Sequence, residues 1–366
     1  MCLLPRYVNR KYADFVDQIQ GLKMTTNSLE LTPATTFGTI EGDLEGDVNV
    51  QLAHVKGEDT RRKLPPEFFK RKPTVFLLKF FFAMGLISAA TAAIVLSTNW
   101  IVIGISMLVN GLMFAHLIEL QHECMHGHAF RSPGLNRLFG VACGMFMASS
   151  NSHYRYDHLR HHAWLGTPRN LEHFNYRFSN LDSITGFTRA FFDLSRYKRV
   201  AGILWAAFLG RPVPGVDKPA ASRDIKQEYV LYLALVVASI VAAVQWPALV
   251  WPLALAWWIP TLLISEGVHF MIEMPEHFGL NTMTEPDVLA NTRTIRTSRL
   301  VHWFVNGNDL HTAHHYHHGV PMCNIRALHN VIEGRIEVVE RSYFSLYRDI
   351  IAGRIRQDMS KACMAH

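Results

Sequence analysis

The sequence predicts an all-α integral membrane protein: four transmembrane helices in two hairpins, with a cytoplasmic helical cap that carries a histidine-rich site. Composition, hydropathy and histidine usage carry that expectation. Only 18% of the 366 residues are charged and 49% are hydrophobic, against about 25% charged in a typical soluble chain. Mean hydropathy is +0.08, too high for a disordered chain and too low for one made of spans alone. Histidine occurs 20 times, more than packing asks of most folds. The net charge of +6 fits either nucleic acid or a cytoplasmic membrane face, and position along the chain decides between them. Five cysteines at no framework spacing argue against a disulfide scaffold and for a reducing compartment.

Residues 1–67 read as a polar N-terminal extension. Arg6, Arg10, Lys11, Asp14 and Asp17 interrupt any apolar run, so no signal peptide is expected there. The stretch Asn27–Asp59 is polar, with acidic residues at Glu41, Asp43, Glu45 and Asp47, and too few apolar groups to fold alone. The membrane domain is expected over residues 68–335, with spans at about 74–97, 101–117, 230–246 and 252–266 and a cytoplasmic C-terminal tail at 336–366. Each run is apolar and long enough, or nearly so, to cross about 30 Å of hydrocarbon. Thr98–Trp100 breaks the first pair and Trp246-Pro247 the second, and neither tip carries a charge.

Charge sets the orientation. Arg61, Arg62, Lys63, Lys70, Arg71 and Lys72 precede the first span. Arg196, Lys198, Arg199, Arg211, Lys218, Arg223 and Lys226 precede the third. The excess of cations places both termini and the central loop in the cytoplasm, which accounts for the positive charge without nucleic acid. Leu138–Ala148 and Val200–Leu209 are apolar but too short to span, and read as interfacial or re-entrant segments.

Three histidine clusters follow the spans: His122-Glu-Cys-Met-His126, with His128 behind it; His158-Leu-Arg-His161-His162; and His311-Thr-Ala-His314-His315, with His317 and His318 behind it. Residues three or four apart share a helix face, so each cluster aims two or three imidazoles in one direction. Neutral imidazole ligates iron, zinc and copper. Eight such ligands are too many for one ion and suit two. His54, His173, His302 and His329 stand alone and read as ordinary packing or surface residues.

The order HxxxH, HxxHH, HxxHH, with two membrane hairpins between, resembles the membrane fatty acid desaturase superfamily of di-iron enzymes. The resemblance covers about residues 68–329. Glu276-His277-Phe278-Gly279 is similar to that family's EHxG segment, Asn291-Thr-Arg-Thr to its basic stretch before the third box, and Pro321 stands where the family often has proline. It implies nine histidine ligands for two iron ions, with O2 as co-substrate: His122, His126, His158, His161, His162, His311, His314, His315 and one more before the third box. His277 is the candidate for that ninth, and His269 competes with it. It also implies a supporting asparagine near Asn306 or Asn308. Carboxylates should accept the remaining ring N–H bonds, and Glu123, Asp157, Glu273, Glu276 and Asp309 are placed to do so. HTAHHYHHGVP admits a second register, His314 with His317 and His318; the spacing to Pro321 favours the first.

The resemblance implies desaturation of an acyl lipid or an acyl group on a carrier. The ligand set is common to hydroxylases and ketolases of lipids or small apolar metabolites, so those reactions stay open. No haem-binding HPGG occurs, so a separate ferredoxin or cytochrome b5-type carrier is expected to bring electrons. Arg196, Lys198, Arg199, Arg293, Arg296 and Arg299 form a basic face that could receive an acidic carrier. Two rivals remain. His122-Glu123-xx-His126 also reads as HExxH, the zinc-protease pattern with glutamate as base, although that chemistry leaves both HxxHH clusters idle. A metal transporter would place its histidines within the spans, whereas these lie beyond them.

Overall fold

The computed structural model describes residues 64–170 and 181–358. Most of the polar extension, with its acidic cluster and His54, and also His173, lies outside the described residues. Among those described, helices long and apolar enough to cross a membrane run over Pro66–Leu96, Trp100–Met125, Pro219–Gln245 and Pro247–Glu276. The fold is the expected one: mostly helical, with four spans in two hairpins.

Within the first span, α1 (Pro73–Leu96) starts on proline, whose missing N–H costs nothing at that position. It buries Phe76, Phe80, Ala83, Ile87, Ala90 and Ile94 at spacings of three and four, yet Leu78, Phe81, Phe82, Val95 and Leu96 on its other side are exposed. A water-facing helix would be polar there, so the outer face is built for hydrocarbon. After a short break Asn99 caps α2 (Trp100–Met125), its side chain accepting from the Ile101 amide at 2.9 Å. The helix runs eight residues past the expected end at 117. Gln121, His122 and Glu123 look like the end of a span in sequence, but the cap buries them.

From there the chain builds part of the cap: α3 (Pro133–Gly144), α4 (Asn151–Trp164), α5 (Ile184–Phe191) and α6 (Arg196–Phe208). The two short apolar segments lie in α3 and α6 and do not cross. Each buries one side and leaves apolar groups outside, Leu138 on α3 and Trp205 and Phe208 on α6. The third span, α7 (Pro219–Gln245), begins well before the expected 230. Its first turns carry Arg223, Asp224 and Lys226, and Glu228 is anchored by Ser150 Oγ at 2.7 Å and Ser152 Oγ at 2.6 Å.

The fourth span, α8 (Pro247–Glu276), is irregular. Pro252 and Pro260 cannot donate to the helix ladder, and wide π turns occupy Ala254–Trp258 and Thr261–Ser265. Ser265 Oγ donates to the Pro260 carbonyl and to Gly111 O, both at 3.0 Å, so side chains satisfy backbone that the prolines free. Gly111 lets α2 and α8 close on each other, since a Cβ there would stand 2.5 Å from Ile264.

Beyond α8 the cap is completed by β1 (Thr294–Ile295), α9 (Arg299–Phe304), α10 (His311–Tyr316) and α11 (Ile325–Ile332). β2 (Val339–Glu340) pairs in parallel with β1, and α12 (Tyr343–Ile351) follows. Leu346, Tyr347 and Ile350 pack with Phe270, Met274 and Phe278. The expected boundary at 335 is therefore no break in packing, and residues 336–358 are docked on the cap.

Candidate metal centre

α2 delivers the first cluster and α4 the second. The third follows a tight turn in which Asn306 (φ 50°) and Gly307 (φ 90°) adopt the left-handed conformation, tolerated by asparagine and free for glycine. That turn folds Asn306 back on α2 and starts α10 against α4.

The rings converge as two groups. In the first, His122 Nε2 lies 3.0 Å from His158 Nε2, which is 2.8 Å from His162 Nε2 and 3.4 Å from His314 Nε2. His162 Nε2 is also 2.9 Å from His314 Nε2, and His126 belongs to the same cluster. In the second, His161 Nε2 lies 3.1 Å from His277 Nε2 and 3.3 Å from His315 Nε2, and His311 Nε2 is 3.1 Å from His277 Nε2. The groups adjoin, with the His162 and His315 rings stacked at 4.1 Å.

Each HxxHH serves both groups. In α4 the i, i+4 pair His158 and His162 joins the first group and His161 the second. In α10 the i, i+4 pair His311 and His315 joins the second and His314 the first. Four residues turn a helix by about 40° and three by about 300°, so the middle histidine must point elsewhere. The expectation that a cluster aims all its rings one way holds for His122 and His126 only.

The residues fit metal. Nitrogens 2.8–3.4 Å apart match ligands set about 90–110° apart on an ion about 2.1 Å away. Hydrogen bonds alone cannot satisfy such a set, because each neutral ring carries a single N–H, and His126 Nε2 is buried without a hydrogen-bond partner among the described residues. Burial, reinforced by neighbouring imidazoles, holds His126, His158, His162, His277, His311, His314 and His315 well below the ordinary histidine pKa. They are neutral at pH 7, with lone pairs available.

A match to the fatty acid desaturase family model spans residues 98–347, which takes in every one of these histidines. The chain belongs to the fatty acid desaturase family. No individual curated protein matches it. Family membership makes this desaturase-family chain an oxidoreductase enzyme of the membrane, acting in a lipid context, with histidine boxes that could bind metal.

Of the expected supporting groups, several touch the rings. His311 Nδ1 lies 3.3 Å from Asn308 Oδ1. Asn308 Nδ2 donates to Glu276 Oε1 at 2.6 Å, and Glu276 Oε2 lies 3.3 Å from His311 Nε2. Asn306 donates to Glu123 at 3.0 Å and accepts from Lys79 Nζ at 2.7 Å, fixing the glutamate beside His122. Three candidates face elsewhere. Asp157 pairs with Arg199 at 2.5 Å and His153 at 3.3 Å, Asp309 with His302 at 2.6 Å, and Glu273 with His269 at 3.6 Å. His269 also faces Glu119, at 3.4 Å, while His277 stands among the second group. Unforeseen in the sequence, Asn170 Oδ1 lies 3.1 Å from His161 Nδ1 and the Asn291 carbonyl 3.0 Å from His277 Nδ1. His318 stays outside the groups, its ring 5.1 Å from that of His162, and His317 turns onto Phe69.

The basic face is smaller than expected. Arg293 is 3% exposed, donates to the Phe278 carbonyl at 2.7 Å, and is pushed down to about 10 by burial. Arg196 binds the buried Glu266 carboxylate. Lys198, Arg296 and Arg299 remain on the surface.

Proposed function

We propose that this protein is an O2-dependent di-iron oxidoreductase that introduces a C=C bond into the acyl chain of a lipid or carrier-bound acyl group. The observation behind this is the convergence of nine histidines, His122, His126, His158, His162 and His314 beside His161, His277, His311 and His315, in a chain of this family. Two irons held there would supply the electron transfers that reduce O2 while hydrogen is removed from unactivated C–H bonds. The chain's own residues do the rest. Asn170, Asn308 and the Asn291 carbonyl engage Nδ1 of His161, His311 and His277, which fixes the rings with Nε2 inward. Burial of all these groups keeps bulk water from the reacting carbon.

Electrons come from a separate ferredoxin or cytochrome b5-type carrier, for which Lys198, Arg296 and Arg299 are the available surface cations. The excess of Lys and Arg before the first and third spans puts the cap, the termini and the site on the cytoplasmic side. Hydroxylation or ketolation is the second reading. The observation that favours it is the polar lining of the cavity beside Tyr154, which includes Ser149, Ser150, His153 and Asp157 and suits a substrate with a polar group near the reacting carbon. The protease reading has no support in the site. Glu123 is tied to Asn306, with Lys79 behind it, and five imidazoles surround the place of its metal.

The experiment is metal analysis joined to mass spectrometry of lipids from cells expressing the protein or His277→Ala. About two irons per chain and a lipid two hydrogens lighter, absent with the variant, support desaturation. A product one oxygen heavier supports hydroxylation. A preparation active with one zinc and no iron defeats both.

A further inference from the structure

We propose that Glu273, His269 and Glu119 form a proton path from a polar cavity to the second histidine group. These three ionisable residues lie on the spans α2 and α8 and are buried, a placement too costly to be kept for packing alone. His269 stands between the two carboxylates, Nε2 3.6 Å from Glu273 Oε2 and Nδ1 3.4 Å from Glu119 Oε1. Its ring therefore bridges acids, one at each nitrogen, and does not join the converging Nε2 atoms. At the outer end Glu273 and His269 line a cavity with Ser149, Tyr154, Asp157 and Tyr229, polar enough to hold water. At the inner end Glu119 Oε2 accepts from Asn308 Nδ2 at 3.3 Å, and the other face of that amide meets His311 Nδ1. The neighbouring buried carboxylates are committed elsewhere: Glu266 to Arg196 and Tyr197, Glu228 to Ser150 and Ser152.

The inference rests on the reading that O2 is reduced at this site. Desaturation turns one O2, two electrons and two protons, with the two hydrogens lost by the substrate, into two waters and one C=C bond. Hydroxylation likewise takes two electrons and two protons, leaving one water and one alcohol. In both the electrons come from the one-electron carrier, and a site that excludes bulk water needs a route for the protons. A proton from cavity water reaches Glu273 and passes to His269 Nε2. The ring releases its other proton from Nδ1 to Glu119, and from there it goes to the oxygen under reduction. Gaps of 3.4 and 3.6 Å close by side-chain rotation or one bridging water.

The test uses full-length, iron-loaded protein in lipid bilayers with its reductant. His269→Gln and Glu273→Gln should keep two irons and a KM within about twofold of wild type. Product formation should fall about 10–100-fold, with O2 diverted to peroxide release and a larger D2O effect on kcat. In iron-free protein a small water-soluble thiosulfonate, located by peptide mass spectrometry, should modify Glu273→Cys and spare Glu119→Cys. If His269→Gln fails to fold, the near-isosteric Glu273→Gln carries the same prediction. Wild-type rate, coupling and D2O effect in the variants would overturn the path, as would loss of an iron from His269→Gln or an unreactive Glu273→Cys. Wild-type protein without iron-dependent O2 consumption overturns this inference together with the functional reading. An active wild type matched by its variants overturns the path alone.

Discussion

The two histidine groups differ in how they are assembled. The first gathers five rings, all from the repeated boxes, with His122 and His126 on a span and His158, His162 and His314 on the cap. The second has four, and one of them, His277, stands alone after α8 with no histidine a helical turn away. A group of five tolerates the loss of a ring better than a group of four, because metal sites in proteins seldom need more than four protein ligands. The group that looks weaker in sequence is thus the one with no ligand to spare.

Replacing His277 tests that difference most severely. His277→Ala should cost close to one of two bound irons and lower turnover by more than the roughly 10–100-fold typical of losing a ligand's supporting contact. His269→Ala should keep both irons. The reverse pattern in metal analysis would exchange the two assignments. The next largest effect contrasts the groups directly. His315→Ala should resemble His277→Ala, whereas His126→Ala should retain more iron, as read by metal content after gel filtration; equal losses would erase the distinction. Asn170→Ala, which frees His161 Nδ1, should lower activity about 10-fold with the protein folded, and an unchanged rate would show that the contact does not orient the ring. The smallest change is expected of His317→Ala and His318→Ala, which should keep most activity and both irons. Inactivity there with His311→Ala still active would restore the other register of the third box.

The spans were legible because lipid asks for apolar residues on every face, and α1 and α7 supply them. The ends of the spans were not. α2 continues to Met125 because the cap covers Gln121 and Glu123, and burial by another part of the chain leaves no local trace. The boxes were legible as metal-ligand spacing, but their division between two groups depends on how α4 and α10 cross. His277 was singled out only by family likeness, for an isolated histidine carries no periodic signal. Asn170 follows the second box by eight residues, outside any motif, and nothing in the residues alone would have found it. Arg293 read as a surface cation, since buried arginine is rare, and its role under the Phe278 carbonyl emerges only with the fold.

The π turns of α8 bear on how this chain tolerates changes of length. A π turn holds one residue more than the α turn it replaces, so deleting one residue from Ala254–Trp258 would restore an ordinary helix there. Everything beyond would then rotate by about 100° and retreat by about 1.5 Å. Ser265 would leave Gly111, Glu266 would leave Arg196, and His277 would swing away from His161 and His311. Conservative replacement within that segment disturbs packing locally, whereas a single-codon deletion acts at a distance of some twenty residues. The two wide turns fix the helical phase of everything α8 presents to the cap, which makes this span a place where the reading length of the gene, more than its spelling, is under constraint.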